Sequence, residues 1–183
     1  MKFLTVVTVF LLLAANVHSQ DIVFNKKTKV YIVRHAEKEG GKDPVLTTAG
    51  KQRAGDLLRK LADKDIQRIY VSEYRRTQMT GDSLRIQLAI DTVHYVADTI
   101  GDDLAHRIKE HGDIGKNILV IGHSNTIPFI IRKLGIKGYP KENIPDNEFD
   151  NLFLVTVKKF KTKLVRSKYG ALSGVSASMQ PMK

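Results

Sequence analysis

Two histidines of the chain follow apolar runs that are typical of buried strands. Residues 30–33 lead into an Arg-His pair that ends at His35, and residues 118–121 are followed two positions later by His123. Open α/β sheets build their sites where strands end. A neutral imidazole has a lone pair that can attack an electrophile or bind a metal ion. By their chemistry alone, the two histidines are equivalent candidates for catalysis or for ligation.

Cationic and amide donors accompany these histidines. Arg34 precedes the first of them, and Arg75 and Arg76 follow the second predicted strand at the same edge of the sheet. Ser124, directly after the second histidine, is predicted to cap a helix whose free N–H groups would face an anion. Guanidinium groups match phosphate oxygens bidentately. A histidine that attacks phosphorus needs such donors around the transferring group, so the pattern predicts a phosphate-like ligand.

Strand and helix patterns alternate along the chain. Short β-branched apolar runs predict strands, and apolar residues three or four positions apart predict helices. The predicted strands are 28–33, 69–71, 93–96 and 117–121, and the predicted helices are 48–62, 72–88, 102–111 and 124–134. A loop over 135–150 and a lysine-rich β-hairpin of 152–157 and 163–168 follow. The fold class is therefore α/β: a three-layer sandwich with a mostly parallel central sheet, helices on both faces and a C-terminal β-hairpin.

Residues 1–19 differ in composition from the rest of the chain. Lys2 is their only charge, and an apolar stretch covers 3–15. The pattern predicts a signal peptide cleaved near Ser19, because the apolar stretch is shorter than the roughly 20 residues that span a bilayer. We expect a periplasmic or secreted protein with no stable membrane insertion after cleavage. Its expected divisions are a signal peptide over 1–19, one domain over 20–170 and a flexible tail over 171–183.

The composition of the chain limits the classes of ligand and partner that we expect it to bind. The chain has no cysteine, which excludes disulfides, thiol nucleophiles and cysteine-ligated metals. Its net charge of +11 attracts anions, including nucleic acid and phosphorylated small molecules. The stacking platforms of single-strand binders are not visible, and the hairpin lysines are better explained as protection of an exposed edge. We expect a small phosphorylated substrate and no nucleic acid, and the histidine spacing predicts no metal or other cofactor.

Four ordered elements resemble the motifs of the histidine phosphatase superfamily, branch 1, also called phosphoglycerate mutase-like. They are Arg34-His35-Ala36-Glu37, Leu46-Thr47-Thr48-Ala49-Gly50, the Ser-x-x-x-Arg-x-x-x-Thr run of residues 72–80, and Gly122-His123-Ser124. Order and spacing agree from about residue 29 to 134. A lone Arg-His pair would mean little, whereas four ordered elements at strand ends are specific. In size the chain is similar to the small phosphohistidine phosphatases.

The resemblance implies a role for each site residue. His35 is implied to be the nucleophile that forms a phosphohistidine, while Arg34, Arg76 and His123 hold the transferring phosphoryl group. Arg76 rather than Arg75 occupies the position of the family's pocket arginine. The implied substrate-binding set is Arg34, Arg76, His123, Thr47 and Ser124.

The general acid is less directly indicated. No glutamate follows the third predicted strand, where larger members of the family carry one, and Asp98 is predicted to take its place. Asp102 and Asp103 compete, but acids at these positions suit the first turn of the next helix. Glu37 lies close to His35 in the sequence, and the family gives that position a supporting role.

The short stretch between Arg76 and His123 leaves no room for the insertion that covers the site in phosphoglycerate mutases. An open pocket excludes water poorly, so a phosphoenzyme should be hydrolysed. The expected function is an exported, metal-independent phosphomonoesterase of the histidine acid phosphatase type, with phosphate ion as product. Three alternatives stay open: a non-catalytic phosphate or phospho-ligand binding module, a phosphohistidine protein phosphatase, and a basic surface protein that docks nucleic acid or other anionic polymers.

Overall fold

The computed structural model describes residues 23–159 and 161–173. The signal peptide predicted over 1–19 lies outside these residues, as does the predicted tail from residue 174 onward. In chain order the elements are β1 (Thr28–Arg34), α1 (Thr48–Leu61), β2 (Ile66–Ser72), α2 (Arg75–Leu88), β3 (Thr92–Tyr95), α3 (Asp102–Glu110), β4 (Asn117–Gly122), α4 (Ile127–Lys133), β5 (Asn151–Lys158) and β6 (Lys161–Lys168).

The strands form one sheet in the order β3-β2-β4-β1-β5-β6. Strands β1 to β4 pair in parallel, whereas β5 runs antiparallel to β1 and pairs with β6 as a hairpin. The runs at β1 and β4 are apolar without alternation because both faces of these central strands are buried. The predicted sheet, mostly parallel with a C-terminal hairpin, is confirmed.

Helices cover both faces of the sheet. Leu57 and Leu61 of α1 pack with Leu84 of α2 in one apolar cluster. Ile108 of α3 and Ile130 of α4 belong to a second cluster. Successive residues of a strand point to opposite faces, so β1 contributes alternately to the two clusters. The three-layer architecture is therefore also confirmed.

The start of α4 differs from the prediction. The helix begins at Ile127 with Thr126 as its N-cap residue, so the prediction that Ser124 caps it is wrong. The reason is a turn after β4, in which the Thr126 and Ile127 amides both donate to the His123 carbonyl. The Thr126 hydroxyl accepts a bond from the His123 amide at 3.0 Å and thereby stabilises this turn. A local turn therefore occupies the position where a helix beginning at Ser124 was predicted to offer free N–H groups.

Contacts at the C-terminal end continue beyond residue 170. The Ala171 carbonyl accepts a hydrogen bond from Arg53 at 3.0 Å, and the Ser173 amide donates to Asp150 at 3.1 Å. The chain is thus attached to the domain up to residue 173. No helix within the described ranges has the length and apolar character needed to cross a membrane.

Topology brings the motif-bearing ends together. Strands β2, β4 and β1 are neighbours and run in parallel, so Ser72, Gly122 and Arg34 lie at one edge of the sheet. The His35 amide, one residue past β1, donates to the Gly122 carbonyl at 2.9 Å. This bond extends the sheet pairing by one step and fixes the two loops side by side.

Candidate active site

A cleft of about 300 Å³ lies at the carboxyl ends of β1, β2 and β4. Its lining consists of Arg34, His35, Lys38, Tyr74, Arg76, Ala97, His123, Ser124, Asn125, Thr126 and Asp146. Of the residues predicted for the site, the structure brings five to this cleft: both histidines, both arginines and Ser124. Thr47 and Asp98 are not part of the lining.

His35 has a defined tautomer. Its Nδ1 lies 2.9 Å from the Ala36 carbonyl oxygen. A carbonyl only accepts, so Nδ1 carries the hydrogen and Nε2 keeps the lone pair. Burial lowers the pKa of His35 to about 4, and the nearby charges of Arg34 and Arg76 act in the same direction. The ring is therefore neutral at pH 7, with a nucleophilic nitrogen available.

His123 faces His35 across the cleft, with ring centroids 5.3 Å apart. Its Nδ1 lies 3.3 Å from Nη2 of Arg76, and its Nε2 lies 2.8 Å from the Ser72 hydroxyl. Burial lowers the pKa of His123 to about 3, and the neighbouring His35 and Arg76 side chains act in the same direction. This second ring is also neutral, and its hydrogen bonds hold it in place.

Arg34 is positioned by a loop far away in the sequence. Its Nη1 donates to the carbonyls of Pro145, Asp146 and Glu148 at 2.9, 3.1 and 3.2 Å. The guanidinium carbon lies 4.3 Å from the centre of the Phe149 ring. The loop over 145–149 therefore holds a side chain that the sequence places at the end of β1.

Arg76 is held from both sides. Its guanidinium carbon lies 4.1 Å above the Tyr74 ring, and its Nη1 lies 3.8 Å from Oδ1 of Asp43. The same Asp43 oxygen accepts a bond from the Arg75 amide at 3.1 Å, at the first residue of α2. Sequence reasoning missed Asp43. The available indication was that Tyr74, the N-cap residue of α2, cannot cap a helix with its side chain.

The cleft has unused donors for an anion. The Nε atoms of Arg34 and Arg76 are buried and have no hydrogen-bond partner among the described residues. Among the described residues that line the cleft, Asp146 is the one with a carboxylate, and its side chain is 98% exposed. Guanidinium groups that keep an unused N–H donor favour a bound anion and stabilise negative charge that develops on it.

The remaining motif positions hold the loops around the cleft. The Thr80 hydroxyl accepts from the Ala36 amide at 2.9 Å and so connects α2 to the first histidine loop. At Gly50, a Cβ atom would lie 2.0 Å from the Glu37 carbonyl oxygen, so only glycine lets α1 approach this loop. Thr47 caps α1 by accepting from the Gly50 amide at 3.1 Å. Its observed hydrogen bonds are therefore structural.

Glu37 supports the same loop from below. Its carboxylate accepts two bonds from Nε of Arg53, each of 2.9 Å, and one of 2.7 Å from Nη2. Arg53 also donates to the Tyr169 and Ala171 carbonyls at 3.2 and 3.0 Å. Glu37 thus connects the His35 loop to the C-terminal segment and does not face the cleft.

Asp98 caps a helix in this structure. Its carboxylate accepts hydrogen bonds from the amides of Ile100, Gly101 and Asp103, at the start of α3. Its neighbour Ala97 lines the cleft instead, and the Ala97 amide donates to Glu73 at 3.1 Å. The structure therefore does not bring the predicted general acid to the histidines. Asp102 forms an ion pair with Lys133 on α4.

The described residues contain no group of three or more His, Cys, Asp or Glu side chains arranged to hold a metal ion.

Comparisons with known proteins agree with this arrangement. The family model for the histidine phosphatase superfamily (branch 1) matches residues 30–98, which include Arg34, His35 and Arg76. No curated protein sequence matches the chain.

Solved structures share the fold at low sequence identity. The "putative phosphohistidine phosphatase SixA" from Agrobacterium tumefaciens is 18% identical over 79% of this chain and 98% of its own, with a TM-score of 0.55. SixA from Nakamurella multipartitia is 15% identical over 80% and 96%, with a TM-score of 0.60. The alpha-ribazole phosphatase from Shigella flexneri is 14% identical over 80% and 96%, with a TM-score of 0.57.

The second histidine lies outside the range matched by the family model. The fold nevertheless places it opposite His35, as the family resemblance of the sequence implies. Residues 30–98 are thus similar to the histidine phosphatase superfamily (branch 1), and the order of the motifs and the fold agree with that likeness.

Proposed function

We propose that the protein is a phosphatase that hydrolyses phosphomonoesters through a covalent phosphohistidine on His35. The match of residues 30–98 to the family model and the likeness to phosphatase structures support phosphatase activity. The observation that carries the finer proposal is the pair of neutral, buried imidazoles 5.3 Å apart, flanked by two arginines whose Nε atoms have no partner in the described part of the chain.

The reaction has two steps. In the first, Nε2 of His35 attacks phosphorus, a P–N bond forms, and the P–O bond to the leaving group breaks. Arg34, Arg76 and His123 hold the non-bridging oxygens while charge redistributes over them. In the second, water attacks the phosphohistidine, phosphate leaves, and the imidazole of His35 is regenerated.

Two carboxylates compete for protonation of the leaving oxygen. Asp98 is the residue that the sequence proposes, and it can act only if it gives up its hydrogen bonds to the α3 amides. Asp146 lines the cleft and already lies 3.5 Å from Nη2 of Arg34. Asp98→Asn and Asp146→Asn should be compared on esters with good and poor leaving groups. The true acid loses turnover mainly on the poor ones.

The central experiment measures hydrolysis of p-nitrophenyl phosphate in the presence of a metal chelator. We expect turnover by the wild type and a loss of about 10⁴-fold or more in His35→Ala, because the nucleophile is removed. Acid-labile, alkali-stable phosphate should be trapped on the wild type alone. His94→Ala changes an exposed histidine of β3 and serves as the control. Full activity in His35→Ala would overturn the proposal.

A phosphohistidine protein phosphatase is the second candidate. It is favoured by the shortage of acids in the cleft. Among the described residues of its lining, Asp146 is the one carboxylate, and it is exposed. A phosphoramidate releases an imidazole, which depends less on an enzyme acid than an alkoxide does. The measurement is kcat/KM for a phosphohistidine peptide against a phosphoserine peptide. A preference for phosphohistidine above about 10²-fold would favour this candidate.

Binding without turnover is the outcome expected of a non-catalytic module. Calorimetric binding of phosphate with no hydrolysis over a wide pH range would support it. Salt-sensitive nucleic-acid binding that survives loss of both cleft arginines would support a basic docking protein.

We also propose export, on the charge and apolar pattern of residues 1–19. Sequencing the N-terminus of the protein recovered from periplasm or medium tests this. A mature chain that begins near Gln20 is expected, and retention of Met1 would contradict it.

A further inference from the structure

Lys38 is a cation of the cleft that the proposed reaction does not use. It directly follows the Arg-His-Ala-Glu run, and it lines the cleft together with Arg34 and His35. The side chain of Lys38 is exposed, whereas Arg34 and His35 are buried, at 6% and 3% exposure. The reacting groups therefore lie at the bottom of the cleft, and Lys38 is placed to meet a part of the ligand beyond the phosphoryl group.

The ammonium group of Lys38 has no carboxylate partner within the described ranges. Each of the two cleft arginines has an aspartate oxygen nearby, at 3.5 and 3.8 Å, whereas no ion pair of the described residues includes Lys38. Its Nζ donates to the Glu39 carbonyl at 3.4 Å, which is longer than an ordinary N–H···O bond. Little is lost when this weak bond is exchanged for a bond to an anion.

The acids near Lys38 in the sequence and in the cleft do not neutralise it. The carboxylate of Glu37 is held by an arginine of α1 at 2.7 Å. Asp43 and Asp146 contact the cleft arginines. Glu39 forms no ion pair in the part of the chain that the structure describes. The positive charge of Lys38 is therefore available to a ligand.

The backbone of Lys38 is fixed although its side chain is exposed. Lys38 and Leu46 form an isolated antiparallel bridge, and the amides of Glu39 and Thr47 donate across it, each at 3.0 Å. Burial lowers the pKa of His35, and the charge of Lys38 acts in the same direction, so the ammonium group lies within electrostatic range of the nucleophile. Lys38 can therefore bind a ligand of the cleft without any reordering of its loop.

We propose that Lys38 forms a subsite for a second anionic group of the substrate, a carboxylate or a second phosphate, while Arg34 and Arg76 hold the phosphoryl group. The inference rests on the proposed function and narrows its substrate class to phosphomonoesters that carry such a group close to phosphorus. An ammonium group suits this task because its three donors can turn toward an anion of either geometry. An uncharged leaving group would leave Lys38 without a partner.

The first test measures binding of phosphonates, which resist hydrolysis because a P–C bond replaces the ester bond. Phosphonoacetate carries a carboxylate, methylenebisphosphonate carries a second phosphonate, and ethylphosphonate carries neither. Calorimetry at low ionic strength gives the Kd of each. We expect the wild type to bind one of the first two at least about fivefold more tightly than ethylphosphonate. The tighter of the two identifies the second group as a carboxylate or a phosphate.

Lys38→Gln and Lys38→Arg form the matched pair. Glutamine removes the charge and should reduce the ratio of the two affinities about fivefold, as expected for loss of an exposed ion pair, whereas arginine should retain the ratio. Lys42→Gln removes an exposed lysine of the same loop that does not line the cleft. It makes the same change to the net charge of +11 and should keep the wild-type ratio.

The second test measures the same preference in turnover. The quantity is the ratio of kcat/KM for phosphoglycolate to kcat/KM for ethyl phosphate, compared between the wild type and each variant. Because the two esters are the same in every comparison, differences in their leaving groups cancel. We expect this ratio to fall about fivefold in Lys38→Gln and to stay unchanged in Lys38→Arg and Lys42→Gln.

The outcomes separate this inference from the proposed function. Equal affinity of the wild type for all three phosphonates would overturn the inference, as would an unchanged preference in Lys38→Gln or an equal loss in Lys42→Gln. Each of these results is compatible with phosphatase activity. A preference that depends on Lys38 in a protein that hydrolyses no ester would keep the subsite and reject the phosphatase. A protein that neither binds the phosphonates nor hydrolyses the esters would overturn both.

Discussion

The two edges of the central sheet bury charge in opposite ways. At the amino-terminal edge, the fully buried carboxylate of Asp113 accepts from the Tyr70 hydroxyl at 2.6 Å, from Arg68 at 3.1 Å and from Lys116 at 2.7 Å. Burial acts to raise the pKa of Asp113, but the bonds from Lys116 and Tyr70 outweigh it and lower this pKa. Every charge of this cluster is paired.

At the carboxyl edge, the charges of the cleft are left available. Arg34 and Arg76 each keep a buried Nε without a partner among the described residues. The carboxylates beside them, Asp146 and Asp43, are 98% and 38% exposed. A buried donor without a partner lowers stability unless a ligand binds to it, whereas the donors and acceptors of the Asp113 cluster satisfy one another. The difference indicates that one edge is built for folding and the other for binding an anion.

Removal of a cleft arginine should cost activity and spare the fold. We expect Arg76→Ala to lower kcat/KM for an aryl phosphate by about 10²- to 10³-fold, because a donor to the transferring group is lost. Its free energy of unfolding should change by less than about 1 kcal/mol, because removal of the buried Nε that has no partner offsets the loss of the contacts with Asp43 and Tyr74. Arg75→Ala, on the exposed neighbour, is the control for both measurements. A large loss of stability in Arg76→Ala would remove the contrast between the edges.

The Asp113 cluster should show the reverse behaviour. In Asp113→Ala, the side chains of Arg68, Tyr70 and Lys116 lose their common acceptor, and we expect a loss of about 3 kcal/mol in urea unfolding. The kcat/KM of the folded variant should stay within about twofold of the wild type, since the cluster lies at the far edge of the sheet. Reduced turnover at unchanged stability would contradict the structural role of Asp113.

As the pH falls, protonation of His35 in the cleft should lower the free energy of unfolding at a higher pH than protonation of Asp113 does. The pKa of His35 is about 4 in the folded chain because of burial, against about 6.5 when unfolded, so the unfolded chain binds the proton first. Below pH 6.5 the free energy of unfolding should therefore fall, by about 2 kcal/mol at pH 5 from this residue. The contribution of Asp113 persists above the unfolded pKa of about 3.9 and is lost as pH falls through its lower folded pKa.

Unfolding curves between pH 7 and pH 4.5 test this order. His35→Gln should be less sensitive to acid than the wild type over that range, and Asp113→Asn should keep the wild-type slope. An unchanged slope in His35→Gln would show that the ring is not held neutral.

Asp98 follows the cleft residue Ala97 in the sequence, but backbone amides at the start of α3 hold its carboxylate. Loss of its three amide bonds in Asp98→Ala should cost about 1 kcal/mol, as for other helix caps, and turnover of aryl phosphates should remain near the wild type. Asp82→Ala removes a carboxylate that pairs with Arg85 on α2 and is the control. Unchanged stability with a loss of turnover on poor leaving groups would instead identify Asp98 as the general acid.

Sequence reasoning predicted the fold class and the residues that share the cleft. The apolar strands of a parallel sheet can be recognised locally, and their carboxyl ends share one edge. That is why Arg34, His35, Arg76 and His123 could be predicted to lie close together. Arg34 is the last residue of β1, the other three follow a strand within four residues, and these strands are neighbours in the sheet.

Contacts between distant segments were not predictable in the same way. Ser124 was expected to cap α4, but the hydroxyl of Thr126 stabilises a turn first. Asp98 was expected near the histidines, but three local amides hold its carboxylate. Asp43 and Phe149, which position the two arginines, come from loops with no periodic pattern to reveal them.

The sequence by itself determined the alternation of strands and helices and the chemical groups at the strand ends, because periodicity and residue type are local properties. Only the tertiary structure decided the tautomer of His35 and the partners of His123, Arg34 and Arg76. These depend on which donor and acceptor meet across loops far apart in the chain, and hydrogen-bond direction follows from that meeting.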